Sequence, residues 1–422
     1  MTVIDRFVSR CICLSLVTVH LSVQSMEWGE IEHHVSGVVD TRIGYADSSD
    51  SYLSAGLGKF SANNGSQFAL SQLGLSYHTQ WGDAWSSRIV ANGYLDGINN
   101  GIGLTEALVR YRDIPSESGI RLDVEFGLMY PKISLENVAT AWASPYSLSY
   151  STINSWLAEE VRHIGLSTTI ESLGKYRQSA HDFSLTAEAF MFNDTTGAML
   201  AWHGWTQTSR QTLLQETIPI TAIPAMQPDG MLAEQAANSD PFTELDDRIG
   251  AHVVAKWAWR SNGNVQVGYY DNNANTLIVK QGQYVWLTKF GHVGAKWLLP
   301  YGVSFISQYM QGNTLMTNTD GLPVVDNDFH SGYIMLSKRF TQHRVSLRVE
   351  DFSVTDKDVT PDDNNNEDGQ SLTVAYQYQL DKPWFIQLEY NVIDSTRPAR
   401  RYINQPIELV EQQWQVSSRY FF

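Results

Sequence analysis

The stretch SLTVAYQYQLDKPWFIQLEYNV, Ser371 to Val392, alternates in character residue by residue. Leu372, Val374, Tyr376, Tyr378 and Leu380 fall on one face, and Ser371, Thr373, Ala375, Gln377 and Gln379 on the other. After the short turn LDKP the pattern resumes. Trp384, Ile386, Leu388, Tyr390 and Val392 alternate mainly with Gln387, Glu389 and Asn391. A period of two is a strand, because successive side chains of an extended chain point to opposite faces. The stretch therefore reads as a hairpin with one apolar and one polar face.

Working outward, the same alternation recurs. Ile120, Leu122, Val124, Phe126 and Leu128 alternate with Arg121, Asp123 and Glu125. Val345, Leu347 and Val349 alternate with Ser346, Arg348 and Glu350. The series predicts strands near 33–46, 67–80, 84–97, 102–113, 118–130, 160–171, 181–193, 246–260, 263–272, 282–298, 301–313, 328–340, 343–356, 369–380, 383–395 and 409–422. One such strand suits a soluble sandwich. Many in series, with aromatics near their ends, fit a transmembrane antiparallel β-barrel, where lipid takes the place of a core and closure pairs every backbone group.

The connections alternate in length. WGDAW, RDIPSESG, LGKYRQSAH, WRSNGN, LLPYG, RFTQHR and LDKP are short. Segments 47–66, 131–159, 194–245, 273–281, 314–327, 357–368 and 396–408 are longer, with 98–101 as the exception. Short turns on one side and long extracellular loops on the other are the habit of outer-membrane barrels. GAMLAWHGW, residues 197–205, would make the strand count odd, so 194–245 is read as one loop. The expectation is an all-β barrel of about sixteen strands, with fourteen or eighteen as the neighbouring even counts and both chain ends on the periplasmic side.

The first 25 residues have the layout of a signal peptide: Arg6 and Arg10, a short apolar run, then small residues near Ser25. The barrel is then 26–422, and both cysteines, Cys11 and Cys13, lie in the leader. That leaves no disulfide framework, thiolate metal site or cysteine nucleophile in the mature chain. A net charge of -16 argues against nucleic acid as a partner. The chain ends on Tyr420 and Phe422, which share an apolar face with Val410, Trp414 and Val416. A terminal aromatic belongs at a membrane interface, and this ending resembles the signal by which the barrel assembly machinery recognises its clients.

The third outside loop, counting the short 98–101, follows Gly127, with Pro131, Ser134, Leu135 and Glu136 in a G-x-x-x-P-x-x-S-L-E pattern. The segment resembles the phosphate-selective (O/P) family of outer-membrane porins and related uncharacterised gammaproteobacterial porins. That type more often has one residue between the Pro and the Ser. A weaker resemblance lies in 196–212. It implies a third loop folded into the barrel, a passive channel for small hydrophilic solutes or ions, a Gram-negative outer-membrane location and a homotrimer in contact with lipid and lipopolysaccharide. The anion-pulling basic ladders of that type are not matched, since 29 Lys and Arg face 45 Asp and Glu.

Rings of charge set ion preference in pores. The constriction candidates are Lys132, Glu136, Glu159, Glu160 and Arg162 in the loop, and the lumen-wall candidates are Arg88, Arg121, Asp123, Glu125, Arg248, Lys256 and Arg348. For each, the competing expectation is an ordinary ion pair or a loop cap. Trp142, Trp156, Tyr146 and Tyr150 are expected to pack the loop on the wall, with sugar stacking as the alternative.

Other chemistry finds less support. His163, His252, His292, His330 and His343 are scattered, with no G-x-S-x-G beside them, so a hydrolase barrel is the less favoured class. His33 and His34 point to opposite faces, and DDNNNED, residues 362–368, lacks EF-hand spacing and reads as a solvated outer loop. No enzyme, metal or cofactor is expected. A plugged or adhesive barrel is the alternative function, the long loops 131–159 and 194–245 being able to fill a lumen.

Overall fold

The computed structural model describes residues 31–260 and 262–422, so the leader expected over 1–25 lies outside the described residues. The strands are β1 (Glu32–Asp47), β2 (Gly65–Trp81), β3 (Trp85–Leu95), β4 (Gly101–Arg112), β5 (Ile120–Met129), β6 (His163–Ser172), β7 (His181–Met191) and β8 (Gly250–Trp259). They continue as β9 (Gly263–Asp271), β10 (Leu287–Leu299), β11 (Val303–Thr317), β12 (Pro323–Phe340), β13 (His343–Asp356), β14 (Glu367–Asp381), β15 (Trp384–Thr396) and β16 (Glu408–Phe421). Each pairs antiparallel with its neighbours in chain order, and β1 pairs with β16, so the sheet closes on itself as a barrel of sixteen strands. Closure leaves no edge strand.

All sixteen expected strands form, and 197–205 is not among them: Ala198–Trp202 is a short helix inside the fourth outside loop. The loop expected over 314–327 is shorter, because β11 runs on to Thr317 and β12 begins at Pro323.

The alternation sets the two faces. Outward positions such as Val345, Leu347, Val349, Val374, Leu388 and Val416 form an exposed apolar band. Aromatics bound it at both ends. Trp257, Trp297, Trp384 and Tyr420 stand near the short-turn end. Tyr45, Phe68 and Tyr269 stand toward the long loops. Exposed apolar strands between two aromatic girdles are the surface a bilayer solvates.

The C-terminus closes the seam. The Gly37 amide donates to the Phe422 carbonyl (2.9 Å), and the Phe422 amide donates back to Gly37 (3.1 Å). The Phe422 ring lies over Gly37, where a Cβ would fall 2.4 Å from its Cζ. Glycine is required here by close approach. Gly37→Leu is expected to displace the ring and weaken the seam by roughly 1–3 kcal/mol, as overpacking does. The check is the temperature at which the folded, fast-migrating gel band disappears. A value equal to that of the unchanged chain would show that the ring does not seal the barrel.

Candidate functional site

The third outside loop, 130–162, crosses the barrel interior, and Tyr146 through His163 are buried without a break. A buried backbone must find partners for its N–H and C=O groups. Here the polar faces of the wall strands supply them. The Ile133 carbonyl accepts from Gln266 of β9 (2.6 Å) and Gln308 of β11 (3.0 Å). The Ala141 carbonyl accepts from Gln72 of β2 (3.0 Å). The Leu148 and Ser149 amides donate to Glu389 of β15 (2.5 and 2.8 Å). Arg348 of β13 donates to the Ser149 and Tyr150 carbonyls (2.9 and 2.8 Å). The loop is thus anchored to walls on every side.

The fourth loop lies on it. Residues 193–213 are all buried. The Tyr150 amide donates to the Thr208 carbonyl (3.0 Å), and Gln211 donates to the Ala141 carbonyl (2.9 Å). Trp156, Trp205, Phe290 and Phe329 cluster edge to face between the loops and β10 and β12. The first loop adds Phe60 to this apolar cluster, and Lys59 pairs with Glu367. Together these loops occupy the lumen.

The structure relocates most of the expected constriction. Glu136, Glu159, Glu160 and Arg162 are all buried, not set on a water-facing rim, because each satisfies buried donors or acceptors of the loops. Glu136 accepts from the Ser151 amide (2.7 Å) and Asn154 (2.9 Å) and faces Arg348 at 3.5 Å. Glu159 pairs with His203 of the fourth loop (2.7 Å). Arg162 donates to the Thr105 carbonyl (2.7 Å) and to Thr212, with its guanidinium 4.6 Å from the Phe242 ring. Lys132 alone keeps an open side chain, paired with Glu125.

On the wall, Arg88 pairs with Glu106 (2.6 Å), Arg121 with Glu171 (2.5 Å) and Asp123 with Arg110. Lys256 is half-buried on the inward face of β8. Arg348 meets a third-loop carboxylate, as a transverse field requires. Arg248 does not belong to the wall: it precedes β8 and is exposed.

Glu160 clasps the two loops. It accepts from Trp156 Nε1 (2.6 Å) and from the Met199 and Leu200 amides (3.2 and 3.3 Å). Burial, with the neighbouring Glu159, pushes its carboxyl up to about 8. A raised carboxyl stabilises the docked form below the ordinary carboxylate range and loses that contribution as pH rises through the folded value. Amide exchange at Met199 and Leu200 is therefore expected to accelerate, beyond its intrinsic rise, from about pH 5 to about pH 8 and to follow the intrinsic rise above that. Glu160→Gln should remove that excess. Pure intrinsic pH dependence in the unchanged chain would contradict the clasp.

Several functional residues escaped sequence reasoning. Asp40 holds Arg42 on its own strand and Arg419 across the β1–β16 seam, both at 2.7 Å, and Arg419 donates to the Ser144 carbonyl of the third loop (2.8 Å). Their signal was charge at inward positions of long strands. The tip of the third loop was not legible at all. Ala141 (φ 53°) and Trp142 (φ 59°) are consecutive left-handed residues without being glycine. Such backbone costs roughly 1–2 kcal/mol per residue and persists only where surroundings over-determine it. Gln72 and Gln211 on the Ala141 carbonyl, and Asn137 on that of Trp142 (3.0 Å), do so. Beneath the tip lies a polar cavity of about 470 Å³ bordered by Arg88, Glu106, Lys132 and Trp142.

His330 contacts Ser353 through Nδ1 (2.9 Å) and Asp351 through Nε2 (3.3 Å) on the outward face. The Asp351 side chain is 62% exposed, whereas an orienting triad carboxylate acts from a buried position. Among the described residues, Asp194, Glu244 and Asp246 bring carboxylate oxygens within 4.8 Å of one another. These oxygens accept backbone amides of Leu245, Phe192 and Asn275, which makes the group an anchor of the fourth loop.

No protein-family model matches the chain, and no curated protein does. Solved structures do. The outer membrane channel DcaP of Acinetobacter baumannii superposes with a TM-score of 0.53 at 12% identity, covering 93% of this chain and 97% of that one. The anion-selective porin from Comamonas acidovorans gives 0.52 at 12% identity, covering 93% and 100%. OmpT, an outer membrane protein of Vibrio cholerae in its trimer form, gives 0.52 at 9% identity, covering 93% and 100%. At such identities the likeness is one of fold, and the fold is that of outer-membrane barrels.

Proposed function

We propose that this chain is a porin: a passive channel for small hydrophilic solutes or ions across a Gram-negative outer membrane. The observation that carries the reading is a closed barrel of sixteen strands whose wall is polar inside and apolar outside. A barrel of that size encloses an aqueous channel unless something fills it. What fills it here is its own loops, held by side-chain hydrogen bonds and ion pairs as well as by the apolar cluster around Trp156 and Trp205. The hydrogen bonds suit a gate, since they exchange for water at small net cost.

The same reading has the leader removed on export and the Tyr420–Phe422 ending read by the assembly machinery. It sets the apolar band in lipid, the long loops among lipopolysaccharide, and three copies side by side. The O/P-type resemblance and the trimeric neighbour support that last point. A second reading, a permanently plugged barrel, is favoured by the unbroken burial of 146–163 and 193–213. Conductance in a planar bilayer separates the two: the porin opens in steps, and the plugged barrel stays silent.

A further inference from the structure

The cavity under the third-loop tip has a composition that names its ligand. It opens among the wall strands β1 to β4, toward their short-turn ends, and its volume of about 470 Å³ suits a small solute. Its cations are already matched: Arg88 by Glu106 at 2.6 Å and Lys132 by Glu125. An anion or cation entering it would face a compensated charge and gain no new partner for its own. A neutral solute with many hydroxyls meets both donors and acceptors without breaking a pair.

The aromatic side of the cavity fits the same class. Trp142 borders it and is half-buried. Tyr130 is stacked on Trp142 at 4.1 Å and 4°, and Tyr150 meets it edge-on at 5.3 Å. The indole is fixed by ring packing and by the strained backbone of Ala141 and Trp142. A sugar ring offers an apolar C–H face and a hydroxyl rim, which matches an aromatic plate beside paired charges. Asn137, which also borders the cavity, adds a planar amide.

We propose that this cavity binds a neutral, polyhydroxylated solute of sugar size, with Trp142 as the stacking platform and the two ion pairs as the hydroxyl-recognising rim. The proposal deepens the porin reading and rests on it for its purpose, but its test does not pass through a membrane.

The test is saturation-transfer NMR on the full mature chain in detergent, with glucose, glucuronate and glucosamine as probes. Glucose is expected to bind several-fold more tightly than either charged analogue. Trp142→Ala should weaken glucose about tenfold, while Trp142→Phe keeps most of the affinity and shows that the loop still folds. Glu125→Gln frees Lys132, so preference should move toward glucuronate. Equal binding of all three probes, no glucose binding by the folded chain, or Trp142→Ala binding as the unchanged chain does would each overturn the proposal. Binding without conductance would sink the porin reading and leave this one standing, and conductance without binding would do the reverse.

Discussion

Arg348→Met is expected to unseat the third loop and to lower the stability of its docked state by ~3–5 kcal/mol, the usual cost of removing one partner from a buried ion pair. Arg348 is 1% exposed and faces Glu350 at 2.6 Å and Glu136 at 3.5 Å. It also donates to the Ser149 and Tyr150 carbonyls. Without it two carboxylates remain buried with their cation gone, beside carbonyls that lose a donor. Burial already holds the Glu136 carboxyl above its usual range despite Arg348. The barrel wall keeps its ladder bonds, so the cost falls on the loop. Amide exchange at Leu148, Ser149 and Thr152, which donate to wall carboxylates, should rise by orders of magnitude. Adding Glu136→Gln should restore part of the protection. Unchanged exchange in the single variant would mean that the loop is held by its apolar cluster alone.

Replacing residues 198–213 with glycine and serine at constant length is expected to turn a closed lumen into a steadily conducting one. The segment contributes Trp202, Trp205, His203, Gln207 and Gln211 to the filling. Burying a large apolar side chain contributes roughly 1.5–3 kcal/mol, so its loss frees the fourth loop, removes the His203 partner of Glu159 and draws the backbone amides at 199 and 200 away from Glu160. None of these residues belongs to a barrel strand. The variant should therefore fold and insert normally while its current rises. A folded variant as silent as its parent would show that the third loop alone seals the barrel.

Both predictions concern loops, and that is where the sequence was hardest to read. The strands were legible because a period of two repeats locally: 371–392 announces its hairpin without help from elsewhere. The short connection at 98–101 was legible as an exception but not explained. In the fold, Leu214 and Gln215 of the fourth loop donate to the Leu104 and Ile102 carbonyls, so a distant segment covers this end of the wall. The inward third loop was expected from its resemblance, yet the roles of its glutamates were not. Glu136 and Glu160 look like solvated loop charges until their partners are known, and the partners come from strands and loops far along the chain. Glu136 and Arg348, for example, are 212 residues apart. Arg248 failed for a simpler reason: β8 starts at Gly250, four residues later than the 246 expected from alternation.

The most direct measurement is single-channel recording of the mature chain in a planar bilayer, beside the glycine-serine variant of 198–213. The porin reading expects brief, discrete openings from the unchanged chain and long-lived openings from the variant. Two folded, heat-shifting barrels that both insert and pass no current would contradict it.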